Sequence, residues 1–397
     1  MVFISFKKLL VLATVATVAT AVVLTTSTTS AAIAATPNAP YYNEKGILQI
    51  GTTEALNITA TVGANREDFV SYPGASYISV KFRDFDLLEG DVVVVRSPDG
   101  STGHVYTGKG RGNLGTFVSS PIRGSTAIVE YFSLNADGAA KTPGKTSYHI
   151  DGFVRGFQAQ AESICGSDQT QPAKCFQGST ALPQAYDKAK AVARLFIGGS
   201  GLCTGWLIGN DGHMLTNEHC ITSADDAAQV DIEFMAESDS CSNLCATAQG
   251  CPGTVVANSA TFVTNNKDID YALLKLPSSV VSTYGYLQFR PSGPRTGEKI
   301  YIPQHPAGWA KRISATVDGG AAAVIRFTGR KDNCGKNQVG YLADTQGGSS
   351  GSPVLGTKDN LVVALHHCGG CDNRAVDPRD VLIDLMMKGI NIPEACK

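Results

Sequence analysis

The sequence predicts an all-β protein built as two successive domains, and three observations carry that expectation. Glycine is abundant, at 42 of 397 residues, and helix-period runs are few, which favours short strands joined by turns. Alternating or continuous apolar runs recur between turn residues from about Tyr41 onward. All 11 cysteines fall between Cys165 and Cys396, so the first half has none and the two halves differ chemically.

At the start, Lys7 and Lys8 precede an apolar stretch from Leu9 to Leu24, and Ala32-Ile33-Ala34 supplies a cleavage end. Residues 1–35 are therefore expected to be a secretion signal. A retained anchor is the weaker reading, because threonines interrupt the run, and no other stretch is long and apolar enough to span a bilayer. Export implies an oxidising compartment, where an odd number of cysteines leaves at least one thiol free or paired with another chain. The net charge of −2 provides no basic excess for a nucleic-acid partner.

Residues 36–157 read as a β-sandwich. Tyr77-Ile78-Ser79-Val80-Lys81-Phe82 alternates apolar and polar, Asp91-Val92-Val93-Val94-Val95 is apolar enough to be buried on both faces, and Ser97-Pro98-Asp99-Gly100 is a turn. Thr126 to Phe132 and Tyr148 to Ile150 continue the pattern. Residues 158–164 form a polar linker, and residues 165–397 form the second domain. There Ala191 to Ile197 is a first strand, and Thr204 to Ile208 and His213 to Thr216 form a hairpin about Asn210-Asp211-Gly212. Asp377 and Pro378 begin a short helix with Val381, Leu382, Leu385 and Met386 at helical spacing.

Three stretches carry chemistry. Gly348-Ser349-Ser350-Gly351-Ser352-Pro353 holds a serine in a glycine-flanked turn, which can present a hydroxyl and backbone amides to one carbonyl. Thr216-Asn217-Glu218-His219-Cys220 supplies a histidine at the end of the hairpin, and Asp270 leads into the apolar run Tyr271 to Leu276. Ser350 is the expected nucleophile, His219 the base and then acid, Asp270 the group that holds the imidazole, and the amides of Gly348 and Ser350 the oxyanion hole. No cofactor and no metal is required. A zinc site from His213 with Cys241, Cys245 and Cys251 lacks regular ligand spacing.

The order His219, Asp270, Ser350 resembles the chymotrypsin-like serine proteases, and is the reverse of the Ser, Asp, His order in α/β-hydrolase esterases. The resemblance implies a double β-barrel with a C-terminal helix packed on it. It also favours Asp270 over Asp268, because Asp270 stands three residues before Leu273-Leu274. Ser349 replaces the aspartate by which trypsin-like enzymes capture a newly cut N-terminus. Gly-Ser-Ser-Gly-Ser-Pro is instead similar to the lysyl and glutamyl endopeptidase branch, as are His305-Pro306 with Lys311 to Ser314 and the run Leu365 to Cys371. That resemblance implies Cys203–Cys220 and Cys165–Cys371 disulfides, the first worth ~3 kcal/mol. It pairs Cys175 with one of Cys241, Cys245 and Cys251 and leaves Cys334, Cys368 and Cys396 unassigned.

Substrate choice stays open between two classes. Asp344 lies six residues before Ser350, the offset at which the resemblance to trypsin-like enzymes implies a pocket-base acid that attracts Lys or Arg, although the same run shapes a turn in glutamyl endopeptidase-like sequences; a lysyl-type pocket implies Asp372 or Asp377 instead. His366 or His367 would instead serve a glutamate-specific pocket. A catalytically silent binding protein of the same family is the alternative to an enzyme.

The first domain resembles a CUB-like module, through Val80 to Leu87, Val93 to Val95 before Asp99-Gly100, Gly115 to Phe117, Ala127 to Tyr131, and Gly156-Phe157. It lacks that family's cysteines. The resemblance admits calcium at Asp91 and Asp137, although solvated loop acids are the simpler account, and a binding role toward a protein or glycan surface. Asn57-Ile58-Thr59 is a glycosylation acceptor if the host is eukaryotic. With every triad motif and cysteine after Ser163, the catalytic half is expected to be self-contained, and Arg155 and Lys174 offer places where a basic-specific protease could cut.

Overall fold

The computed structural model describes residues 41–133, 145–157, 164, 166–276 and 280–397. The expected secretion signal, Asp137, all of the linker but Ile164, and Cys165 lie outside them. The protein is all-β with a chymotrypsin-like double barrel and a short C-terminal helix, Pro378–Met387.

Two sheets form the first domain. In one, Arg66–Ser71, Thr126–Phe132, Val92–Arg96 and Gly103–Tyr106 lie side by side; in the other, Gly51–Thr61, Thr146–Gly156 and Tyr77–Arg83 are joined by two short strands on Tyr77–Arg83. Their inner faces meet on Phe82, whose ring packs against Phe85, Tyr106, Phe117 and Tyr148 at centroid distances of 5.2 to 6.2 Å. Dense aromatic packing of this kind lets the domain hold together without a disulfide. Asp91 is buried and accepts the Tyr131 hydroxyl at 2.6 Å.

The barrel sheets split the second half. One runs Thr254–Ala257, Val230–Phe234, Val192–Ile197, Gly201–Ile208, His213–Thr216, Tyr271–Lys275 and Thr261–Asn266. The other orders Gln171–Pro172, Arg312–Ser314, Ile300–Gln304, Pro353–Gly356, Val362–Cys368, Asn373–Val376, Gly335–Tyr341 and Ile325–Asp332. The C-terminal helix starts where expected, capped by the Asp377 side chain, and turns Val381 and Leu385 inward. Met386 lies instead on the solvent side, 77% exposed, because it sits off the inward stripe. Disulfides join Cys175–Cys241, Cys203–Cys220, Cys245–Cys251 and Cys334–Cys368, Cys371 is also disulfide-bonded, and Cys396 is free.

The two halves touch through several contacts. Leu48–Gln49 pairs with Gly201 and Leu202, so a hairpin formed with Tyr41–Tyr42 extends the first barrel sheet from the wrong side of the expected domain boundary. Tyr77–Arg83 is buried on both faces rather than alternating, because its outward side chains meet the barrel: Tyr77 donates its hydroxyl to the Gly199 carbonyl at 2.9 Å and its ring packs on Phe196. Arg155 lies inside a strand paired on both sides and bonded to Glu54, so it offers no cleavable loop.

A buried ion pair closes this junction. Arg111 of the sandwich reaches Asp231 of the barrel at 3.2 Å and donates to the carbonyls of Val118 and Asn258, while Ser120 donates to the same carboxylate at 2.5 Å. Removing one partner of such a pair strands the other charge in a low-dielectric region. Arg111→Ala is therefore expected to cost about 3–5 kcal/mol in chemical denaturation of the full chain, and the paired change Arg111→Met with Asp231→Leu to recover most of it. A loss under about 1 kcal/mol for Arg111→Ala, the value of a surface pair, would show that the junction is not energetically coupled.

Candidate active site

Register explains how His219 and Asp270 meet. Strand His213–Thr216 runs antiparallel to Tyr271–Lys275, with Thr216 opposite Ala272, so the end of one strand and the entry to the other lie together. Asn217, fully buried, ties the corner by donating to the Asp270 carbonyl at 2.8 Å. The Cys203–Cys220 bond fastens the histidine loop to the neighbouring strand. Its two sulfurs are bonded to each other, so the close grouping of Cys203, His219 and Cys220 offers no thiolate to a metal.

His219 Nδ1 lies 2.8 Å from Asp270 Oδ2 and 3.1 Å from Oδ1, and the His219 amide donates to Oδ1 at 3.0 Å. Asp268 faces elsewhere, onto a surface hollow with Asp380 and Asp384, and its amide bonds Asn266. A second imidazole also reaches Asp270: His367 Nδ1 is 3.0 Å from Oδ2, and its Nε2 is 2.7 Å from Gln338 Oε1. Burial acts to raise the Asp270 carboxyl, but the hydrogen bonds from the two histidines prevail and hold it well below the usual carboxylate range.

The serine turn latches itself. Ser349 is fully buried; its hydroxyl accepts the Gln346 amide at 3.1 Å and its carbonyl accepts both the amide and hydroxyl of Ser352, at 2.9 and 2.5 Å. The position that holds the capturing aspartate in trypsin-like enzymes thus closes the turn locally. Gly348 has φ +90, and a Cβ there would stand 2.9 Å from the His305 carbonyl oxygen, so no side chain fits. Its carbonyl accepts the Thr204 hydroxyl at 2.8 Å. Among the described residues, no acceptor takes the amides of Gly348 or Ser350, although Ser349, Gly351 and Ser352 amides are all bonded.

Ser350 and His219 line one cleft of about 590 Å³. Its lining includes Asp344, 5% exposed, whose Oδ2 accepts the Gln169 amide at 2.7 Å. Burial pushes this carboxyl up, and among the described residues no Lys or Arg forms an ion pair with it. Asp372 and Asp377 are outside the cleft: the first pairs with Arg326, the second is fully buried and holds Arg379. His366 does line it, buried, with Nδ1 2.7 Å from the Tyr341 hydroxyl; burial and the neighbouring His367 and His219 hold its pKa down to about 3. Both ring nitrogens of His367 are engaged by protein groups, so it has none left for a substrate carboxylate.

Sequence reasoning missed the N-terminal rim. Tyr42, Lys45 and Gly46 line the same cleft, and Lys45 reaches Asp226 and Thr222 on the histidine side at 3.0 Å. Gly347 backs onto this hairpin: a Cβ would fall 2.3 Å from the Tyr42 hydroxyl and 3.1 Å from Leu48 Cβ. Nothing local to Tyr41–Gln49 signals a contact made so far along the chain.

An aspartate before a buried strand, a histidine on a stapled corner and a serine in a self-latched turn define a serine-protease type of site. Residues 167–381 match the lysyl endopeptidase C-terminal domain, and the chain belongs to that family. It is 41% identical over 334 residues to the secreted RxLR effector protein 73 of Plasmopara viticola, covering 81% of this chain and 82% of that one. It is 32% identical over 186 residues to the uncharacterized protein y4fB of Sinorhizobium fredii, covering 45% of this chain but only 26% of that protein's length. Among solved structures, the HtrA-type protease AlgW bound to a tripeptide overlaps 54% of this chain and 64% of its own, at 18% identity and a TM-score of 0.41. The disulfides and the secreted relative agree on location: the protein is extracellular.

The depressed Asp270 makes stability depend on acid in a definite direction. A carboxyl held below its unfolded value, ~3.9, contributes stability in full above that value and loses it as pH falls through the lower folded one. Melting temperatures followed from pH 6 downward should therefore fall more steeply for the native protein than for Asp270→Asn. Parallel curves would mean that the two histidine contacts add nothing to the charged form.

Proposed function

We propose that the protein is a secreted serine endopeptidase that cleaves after Lys or Arg through an acyl-enzyme. One observation supports the basic preference above the others: Asp344, which lines the cleft with Ser350 and His219, is a buried carboxyl with no Lys or Arg ion partner among the described residues. A lysine or arginine side chain would supply the missing charge.

In this reading the substrate carbonyl sits against the amides of Gly348 and Ser350. Ser350 Oγ attacks the carbonyl carbon, its proton passes to His219 Nε2, and the carbonyl π electrons move onto the oxygen, where the two amides stabilise them. His219 returns the proton to the leaving amine as the C–N bond breaks. Water, activated by the same imidazole, then releases the acid and restores Ser350. Asp270 keeps the His219 Nδ1 proton facing it and stabilises the imidazolium. The first domain, residues 36–157, is read as CUB-like from its sequence, and its hairpin makes it part of the working cleft.

Two other readings have a specific observation behind them. His366, a neutral imidazole lining the cleft, favours glutamate recognition. The effector relative at 41% identity favours a member of this family that binds a target without cleaving it.

A fluorophosphonate probe separates binder from enzyme: labelling of the secreted protein that disappears in Ser350→Ala is the expected result, and folded protein that never labels supports the binder. Peptide-library profiling should then give Lys or Arg before the scissile bond. Asp344→Ser is expected to cost about 2–5 kcal/mol in kcat/KM on those substrates, the scale of a broken buried pair, with much less change on apolar ones. Preference for glutamate in the profile overturns the basic pocket and transfers the role to His366.

A further inference from the structure

The hairpin Tyr41–Gln49 crosses one end of the cleft and is held there by its own turn and by the barrel. Asn43 Oδ1 accepts the amides of Lys45 and Ile47, both at 3.0 Å, and the Asn43 amide donates to the Ile47 carbonyl at 3.1 Å. Gly46, at φ +80, lets the chain reverse between them. Ile47 and Leu48 are buried, Leu48–Gln49 pairs with Gly201 and Leu202, and the Gln49 side chain accepts the Ser200 hydroxyl at 2.6 Å.

The tip of the hairpin joins both lips of the cleft. On the serine side Tyr42 meets Gly347, where an added Cβ would fall 2.3 Å from the Tyr42 hydroxyl. On the histidine side Lys45 Nζ donates to Thr222 Oγ1 and to Asp226 Oδ2, each at 3.0 Å, and that same Asp226 oxygen accepts the Thr222 amide and hydroxyl at 2.9 and 2.6 Å. In the catalytic reading above, on which this inference rests, Asp344 draws the side chain before the scissile bond and the leaving amine takes its proton from His219. The polypeptide beyond the bond therefore runs out along the histidine loop. An extended chain gains affinity in such a place by pairing with a free strand edge. The edge at Gly201 and Leu202, beside the Cys203–Cys220 bond, is already taken by Leu48–Gln49.

We propose that the hairpin closes the leaving-group side of the cleft and thereby selects substrates: among basic sites, the enzyme favours those within a few residues of a chain's C-terminus over those in the middle of an extended segment. A short leaving peptide ends before it meets Tyr42 and Lys45. A long one has to bend sharply away or displace the hairpin, which exposes Ile47 and Leu48 and opens their pairing with the barrel. The residue before the bond is still read by Asp344, so the two selections act on different parts of the substrate.

The test uses the full-length secreted protein and two series of peptides, one with Lys and one with Glu before the scissile bond, each followed by one, two or eight residues. With kcat/KM read by mass spectrometry, the one- and two-residue leaving groups are expected to react about 100-fold faster than the eight-residue one, the scale of a misplaced substrate. Equal rates at every length overturn the inference and leave the peptidase reading standing. Turnover confined to the Glu series overturns the basic pocket alone, and the length dependence within that series then decides the hairpin's role. No turnover in either series overturns the peptidase reading and this inference with it. Lys45→Ala, which unties the hairpin from the histidine loop, should narrow the short-to-long ratio by about fivefold, the worth of one partly exposed ion pair. A variant that is only less stable would lower both rates together, and an unchanged ratio overturns Lys45 as the tie.

Discussion

The carboxylate of Asp270 is the interaction on which the rest of the site depends. It stands at the seam between the two barrel sheets: His219 and Asp270 come from one, and His367 reaches across from the other. A carboxylate taking three N–H groups on its two oxygens is a strong local constraint, because each bond is charge-assisted and the group is largely screened from water. Any relative slide of the sheets breaks at least one of them. Barrel packing and catalytic geometry are therefore the same restraint seen from two sides.

The remainder of the molecule supports that seam in layers. The Cys203–Cys220 bond holds the histidine corner, the buried Ser349 closes the serine turn, and Thr204 links that turn to the first sheet through the Gly348 carbonyl. Behind them the sandwich is joined to the barrel by an aromatic contact, a short strand pairing and the enclosed Arg111–Asp231 pair. Burying an ion pair is not an efficient source of stability, but it penalises every alternative docking that leaves either charge alone.

Much of the site was legible in the sequence because its parts are local. A serine between glycines, a histidine beside a cysteine at a strand end and an aspartate ahead of an apolar strand each carry their constraint within a few residues. Asp344 was legible for the same reason, by its offset from Ser350. What stayed hidden depends on distant partners. His367 looks like a substrate group in the sequence, and only its pairing with Gln338 and Asp270 shows where its nitrogens go. The alternation from Tyr77 to Phe82 marks a half-exposed strand correctly by local rules, until the barrel covers its outer face. The contacts between the halves were hidden for that reason too, since cysteine placement says nothing of what packs across a domain boundary.

The hairpin at Tyr41–Gln49 has a consequence for when the molecule becomes complete. It packs beside Gly347, close to Ser350, yet it is synthesised about 300 residues earlier. A cleft whose rim and nucleophile come from opposite ends of a long chain cannot exist on a partly synthesised polypeptide. Contacts of such long sequence separation also form late, after their loop-closure cost is met. The fold itself thus delays assembly of the cleft until nearly the whole chain is present.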